Sequence, residues 1–244
     1  KVYTRFDAYD SLETRDDLGA LFEILTSVKD KKGSHAVFTP YTLPCNIDFE
    51  KVKNSDYSEY HYEKLPSTFI KLEERHPEAY KGAWELWNEG IAKRIMVPQF
   101  HGREHFNLTA FESKLKNKDE ELLTSLKNRS LTSISSSGIP NVGWTAAFSF
   151  NDPEEIQSFQ DILKTGTDAF ESVFGYRSES FTPPAQQFPE VLEKTLKDYG
   201  IKNLDKPFTH KRHLGNGKYK REFNFLGRNK STGLNTIVRN VVFE

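Results

Sequence analysis

The sequence predicts an α/β fold, a single (β/α) barrel or a distorted relative of one, on three observations. Short apolar runs stopped by proline alternate with stretches of helical periodicity, the pattern of parallel strands joined by crossovers. Neither G-x-G-x-x-G nor a phosphate-loop signature occurs, which argues against a nucleotide-binding sheet. No stretch of the 244 residues reads as a linker, so about six strands belong to one barrel-like domain over 1–244.

The first helix is expected over 14–30. Thr14 is its N-cap, Asp16 and Asp17 occupy its first turn, and Leu18, Leu21, Phe22, Leu25 and Val28 recur at helical spacing. Residues 35–41 (HAVFTPY) read as a buried strand. A helix over 77–94 and a strand over 95–100 repeat the unit and deliver the chain into His101. Two short helices are expected within 108–129, with Leu122, Leu123 and Leu126 on one face, then a serine-rich surface loop over 130–140. GWTAAFSF (143–150) reads as a strand. A long helix follows, with Pro153 in its first turn and Ile156, Phe159, Leu163, Phe170 and Val173 inward. Residues 178–184 form a strand, 188–200 a helix and 201–204 a strand, and 219–227 with 234–244 make a final pair.

Composition narrows the partners. Hydrophobic residues make up 36%, aromatics 13% and charged residues 28%, ordinary values for a soluble globular chain. Lys plus Arg number 34 against 35 acids, so net charge points to neither nucleic acid nor a membrane surface. The basic residues Lys211, Arg212, Lys218, Lys220 and Arg221 are interleaved with Gly and Tyr and read as a solvated hairpin or loop. No apolar run approaches the roughly 18 residues of a membrane span. Cys45 is the sole cysteine, which excludes an internal disulfide. With no signal peptide visible, a cytoplasmic location is favoured, although the chain starts at Lys1 and its N-terminus stays open. Oligomeric state has no signature.

The residues that carry chemistry lie in FHGREH (100–105). His101-x-x-Glu104-His105 matches the inverted zinc-peptidase pattern, which needs both histidines on one helix. Pro98 before the motif and Gly102 within it favour a strand end instead, where barrel enzymes place reacting groups. The same logic sets Thr39 (in FTP, 38–40) and Thr182 (in FTPP, 181–184) on the face that His101 opens onto. Glu104 is a candidate general base, or a salt-bridge partner of Arg103. Tyr60, His61, Tyr62 and Trp144 offer amphipathic rings suited to a sugar face, whereas Trp84 and Trp87 are assigned to helix packing. Cys45 has no evident histidine partner and is not expected to be a nucleophile.

Several stretches together resemble a known family. YDSLETRDDLGALFEIL, HAVFTPY, EYHYEKL, VPQFHGREHFN, FGYRSESFTPP and IVRNVVFE, in that order, are similar to a bacterial branch of the polysaccharide deacetylases, the NodB-like carbohydrate esterases. The resemblance implies a distorted (β/α) barrel holding a divalent metal, zinc first among candidates, through one aspartate and the pair His101 and His105. It also implies metal-assisted hydrolysis of an acetylated glycan or glycan precursor, with a second aspartate as general base. Three departures accompany it. The Asp-Asp text of the first strand is missing, so that pair is expected upstream of Lys1, with Asp7 a stand-in of poor register. Thr182 replaces the arginine of the family's Phe-Arg-Pro-Pro, for which Arg103 or Arg177 is a substitute. No leaving-group histidine closes the chain, and His210 and His213 sit in the basic segment. The barrel is therefore expected to lack both ends. The candidate site is His101 and His105 for the metal, Glu104 and Arg103 for catalysis, and Thr39, Arg177, Thr182 and Pro183 for substrate. Two other readings stand beside the deacetylase: an inactive barrel binding glycan or a polysaccharide-assembly partner, and an HxxEH zinc peptidase.

Overall fold

A computed structural model describes residues 11–131, 134–216 and 218–238. The chain runs α1 (Arg15–Ser27), β1 (Tyr41–Thr42), β2 (Cys45–Ile47), α2 (Phe49–Asn54), β3 (Tyr62–Lys64), α3 (Leu65–Arg75), α4 (Pro77–Tyr80) and α5 (Ala83–Ala92). It continues through β4 (Gln99–Phe100), α6 (Leu108–Lys116), α7 (Glu120–Lys127), α8 (Ile156–Phe174), β5 (Ser180–Phe181), α9 (Glu193–Asp198) and β6 (Asn203–Lys206). Four strands follow: β7 (Thr209–His213), β8 (Tyr219–Phe223), β9 (Gly227–Arg228) and β10 (Asn235–Val238).

The sheet order is β1-β4-β5-β6-β10-β9, with neighbouring pairs parallel except β10–β9. Parallel strands in chain order with helices between them make a mixed α/β fold. Among the described residues the sheet is an open run from β1 to β9 and not a closed barrel. The hairpins β2–β3 and β7–β8 stand apart from it, and the second is built from the basic stretch around residue 212.

Local chemistry explains most elements. Thr14 caps α1 and exchanges hydrogen bonds with Asp17, a complete capping box. The expected helix over 77–94 is two helices, because the chain turns left-handed at Gly82 (φ 78°). Long α8 buries Phe159, Ile162, Leu163, Ala169, Phe170 and Phe174 and ends at Gly175 in the left-handed region. Gly166 lets it dock, since a Cβ there would lie 2.9 Å from the Phe100 ring and 3.1 Å from the Arg103 Cβ. Phe100 in turn stacks on Phe181 at 5.3 Å and meets Phe170 edge-on at 6.1 Å. Trp84 and Trp87 stack on each other in this same core, as their helical spacing suggested. A second core gathers Ile47, Val52, Phe106, Phe111, Leu122 and Trp144 under α6 and α7.

Three expected strands change. Residues 35–41 contribute isolated bridges, Lys29–His35 and Phe38–Met96, before β1, and 95–100 contribute the Met96 bridge and β4, because Pro40 and Pro98 interrupt the ladders. Residues 143–150 are turns, not a strand. There the side chain of Asn107, 0% exposed, accepts from the Ala110 backbone N–H as the cap of α6. Its amide nitrogen donates to the carbonyls of Ala146 (3.2 Å) and Ser149 (2.7 Å). One amide thus meets the hydrogen-bonding demand that a strand neighbour would otherwise meet. The hairpin β2–β3 and helices α2 and α3 had no counterpart in the sequence pattern.

Candidate metal centre

His101 directly follows β4, and the parallel register places it beside Thr182 after β5 and, one strand further, Asp205 in β6. These are the C-terminal ends of the strands. The His101 backbone N–H donates to the carbonyl of Thr42 at 3.1 Å, so Thr42, and not Thr39, is the β1 residue next to the site. Thr39 lies three residues earlier, roughly 10 Å back along the strand, and is exposed. Arg177 is also displaced. It precedes β5 at the opposite end of the sheet and pairs with Glu171 at 3.0 Å. A guanidinium there cannot replace one at the strand end.

The pair itself converges. The rings of His101 and His105 lie 4.9 Å apart, centroid to centroid, inclined by 55°. Nδ1 of His101 sits 2.6 Å from the carbonyl oxygen of Thr182. Because a carbonyl only accepts, Nδ1 carries the hydrogen, and in the neutral ring Nε2 carries the lone pair. Two imidazoles bound to one zinc at about 2.1 Å in near-tetrahedral geometry have centroids roughly 5 Å apart, so this spacing fits a shared cation. The Thr182 contact is the kind of outer hydrogen bond that orients metal-bound histidine. Burial lowers the pKa of His105, which favours its neutral form. Among the described residues no group of three or more His, Cys, Asp or Glu is gathered for a metal. Asp7 lies outside the described residues. The pair could supply two ligands of a metal site, and the described residues gather no third beside them.

Thr182 ties the pair to the sheet, its hydroxyl donating to Oδ2 of buried Asp205 at 3.2 Å. Asp205 escaped the sequence reading. Its signal was an acid directly after the expected strand IKNL and just before Lys206-Pro207. Pro183 is buried and lines, with Asp205, a cavity of about 410 Å³ whose walls include neither histidine. His105 lines a larger cavity of about 780 Å³, together with Tyr60, Phe106, Trp144 and Arg129.

Arg103 and Glu104 face inward from the same turn. Glu104 is 4% exposed, and its Oε1 accepts from Arg103 Nε and from the Tyr60 hydroxyl (2.8 Å). Burial pushes the Glu104 carboxyl up, against the charge and hydrogen bond of Arg103 and the hydrogen bond of Tyr60. Arg103 also donates to Thr165 Oγ1 on α8 at 2.7 Å and lies 4.6 Å over the Tyr62 ring. Tyr60 and Tyr62, read from sequence as sugar platforms, are thus committed at least in part to this network. Neighbouring Cys45 is buried, and burial with the nearby Glu104 charge raises its thiol to about 12, a poor nucleophile.

Residues 101–107 are not helical, and Gly102 takes φ 110°. The zinc-peptidase reading requires a helix through both histidines and is overturned by this turn.

No protein-family model matches the sequence, and no curated protein matches it. Among solved structures, IcaB from Ammonifex degensii is similar at 14% identity and a TM-score of 0.32, over 50% of this chain. The matched part spans 39% of that protein's length.

Proposed function

We propose that the chain is a metal-dependent hydrolase that removes acetyl groups from an acetylated glycan, with His101 and His105 as two of the metal ligands. The supporting observation is the convergence of the two rings at the C-terminal end of a parallel sheet, with Thr182 holding the His101 tautomer. A divalent ion bound there, zinc by donor type, would polarise an acyl carbonyl and acidify a water. Thr182 would fix which imidazole nitrogen faces the ion, and the cavity of about 780 Å³ that His105 lines leaves room for a sugar and its acyl group. The described residues leave the remaining ligand and the proton-transferring carboxylate unassigned.

Equilibrium dialysis against zinc, followed by elemental analysis, tests the pair. One equivalent is expected for the wild-type chain, with affinity reduced at least tenfold in His101→Ala and His105→Ala. Acetate release from N-acetylated and O-acetylated oligosaccharides by the zinc-loaded protein is expected to fall in parallel. Metal uptake unchanged by either substitution would sink the proposal. Zinc held tightly with no acetate released from either class would convert it to a binding barrel.

A further inference from the structure

We infer that Glu104, held by Arg103 and Tyr60, is the positioning residue that aims His105 at His101; this rests on the metal-binding reading above. On a helix, residues four apart share a face, so a His-x-x-x-His pair converges by backbone repeat alone. Residues 101–107 have no such repeat. The aim has to come from the three residues between.

Each of them is anchored. Gly102 turns the chain at φ 110°, and a Cβ there would come within 3.2 Å of both Pro184 Cγ and the Glu104 carbonyl. Arg103 reaches across to α8, where Thr165 Oγ1 accepts from NH1 at 2.7 Å, while its Nε donates back to Glu104. Glu104 is gripped from the other side by the Tyr60 hydroxyl at 2.8 Å. Tyr60 is itself held by ring edges of Phe106 at 5.8 Å and Phe111 at 5.3 Å. The turn is therefore pinned on one flank to α8 and on the other to the second core. His105 is the next residue out.

A buried ion pair is an expensive way to fill space, and apolar residues of similar volume often serve stability as well or better. What apolar packing lacks is direction. The acceptor Oε1 takes hydrogen bonds from two donors on different elements, which fixes the Glu104 side chain and the backbone leading to the next ring. The same engagement makes Glu104 a poor proton carrier. It acts through His105 and not on substrate.

The test uses the whole chain and three variants: Glu104→Gln, which can still accept from Tyr60; Glu104→Leu, which cannot; and Tyr60→Phe. Circular dichroism and melting show which of them fold. Zinc affinity by chelator competition and the visible absorption of the cobalt(II) form are the readouts. Glu104→Leu is expected to weaken zinc binding 10–100-fold and to shift the cobalt bands, with Glu104→Gln and Tyr60→Phe falling between it and wild type. Folded Glu104→Gln and Glu104→Leu with wild-type affinity and spectrum would overturn the inference. If wild type takes up no metal, the parent reading fails while this one is still decided. The metal-free protein should then show a ring-to-ring nuclear Overhauser contact between His101 and His105, and its survival in folded Glu104→Leu overturns the positioning role.

Discussion

Gly102 shows how much of the site depends on single residues. Its φ of 110° lies where an L side chain is strained, and the space beside it is already taken by Pro184 and the Glu104 carbonyl. Gly102→Ala should cost on the order of 1–3 kcal/mol in urea unfolding and move His105 off its partner, so zinc affinity falls with stability. A stable variant that keeps wild-type affinity would show that the turn tolerates a side chain. The strand-end setting of residue 101 was legible because Pro98 before the motif and Gly102 inside it both argue against a helix. Glu104 was only half legible. Adjacency to Arg103 suggested the ion pair, but Tyr60 lies 44 positions away, and nothing local marks it as the second donor.

At the scale of elements, α8 and β4 form the unit that carries the motif. Gly166 brings the helix against Phe100, which stacked neighbours hold in place, and against Arg103, whose guanidinium reaches Thr165 one position earlier on the same helix. Gly166→Ala adds about 1 kcal/mol of helix propensity but overpacks a filled contact at about 1–3 kcal/mol. The denaturant midpoint should fall, and a rise would mean that the helix can slide. Helices α1 and α8 were read well from sequence because they announce their ends with Thr14–Asp17, Asp152–Glu155 and Gly175, whereas α2 and α3 carry no such signal in the pattern. Strands fared worse. β1 and β4 are two residues each, too short for alternation to show, and 143–150 is apolar enough to pass for a strand while Asn107 secures its turns.

Across the whole molecule, pH limits follow from Glu50 and Cys45. Partial burial works against the charge of Glu50, but hydrogen bonds from Lys71, Arg129 and Arg75 overcome it and hold its carboxyl at about 2, below the ordinary 4.5. A lowered folded value means that its contribution is present above 4.5 and is lost as pH falls toward 2. Cys45 has the opposite sign. Its folded value near 12 exceeds the ordinary 9.0, so its contribution is full below 9.0 and fades as pH climbs toward 12. Melting temperatures across this range should form a plateau with both flanks, and Glu50→Gln should flatten the acid flank. An acid flank of unchanged steepness in that variant would remove Glu50 from the account. The α/β class was legible at this scale from alternation alone, whereas closure of the sheet is a property of how its edges meet, which periodicity does not encode.

Asn107 has a consequence for how the chain can be produced. Asn107-Leu108-Thr109 spells an N-glycosylation acceptor, yet the nitrogen that would receive the sugar is sealed from solvent and donates to Ala146 and Ser149. In a eukaryotic secretory host, oligosaccharyl transfer and folding compete for one atom. Chains modified there before they fold are excluded from this structure.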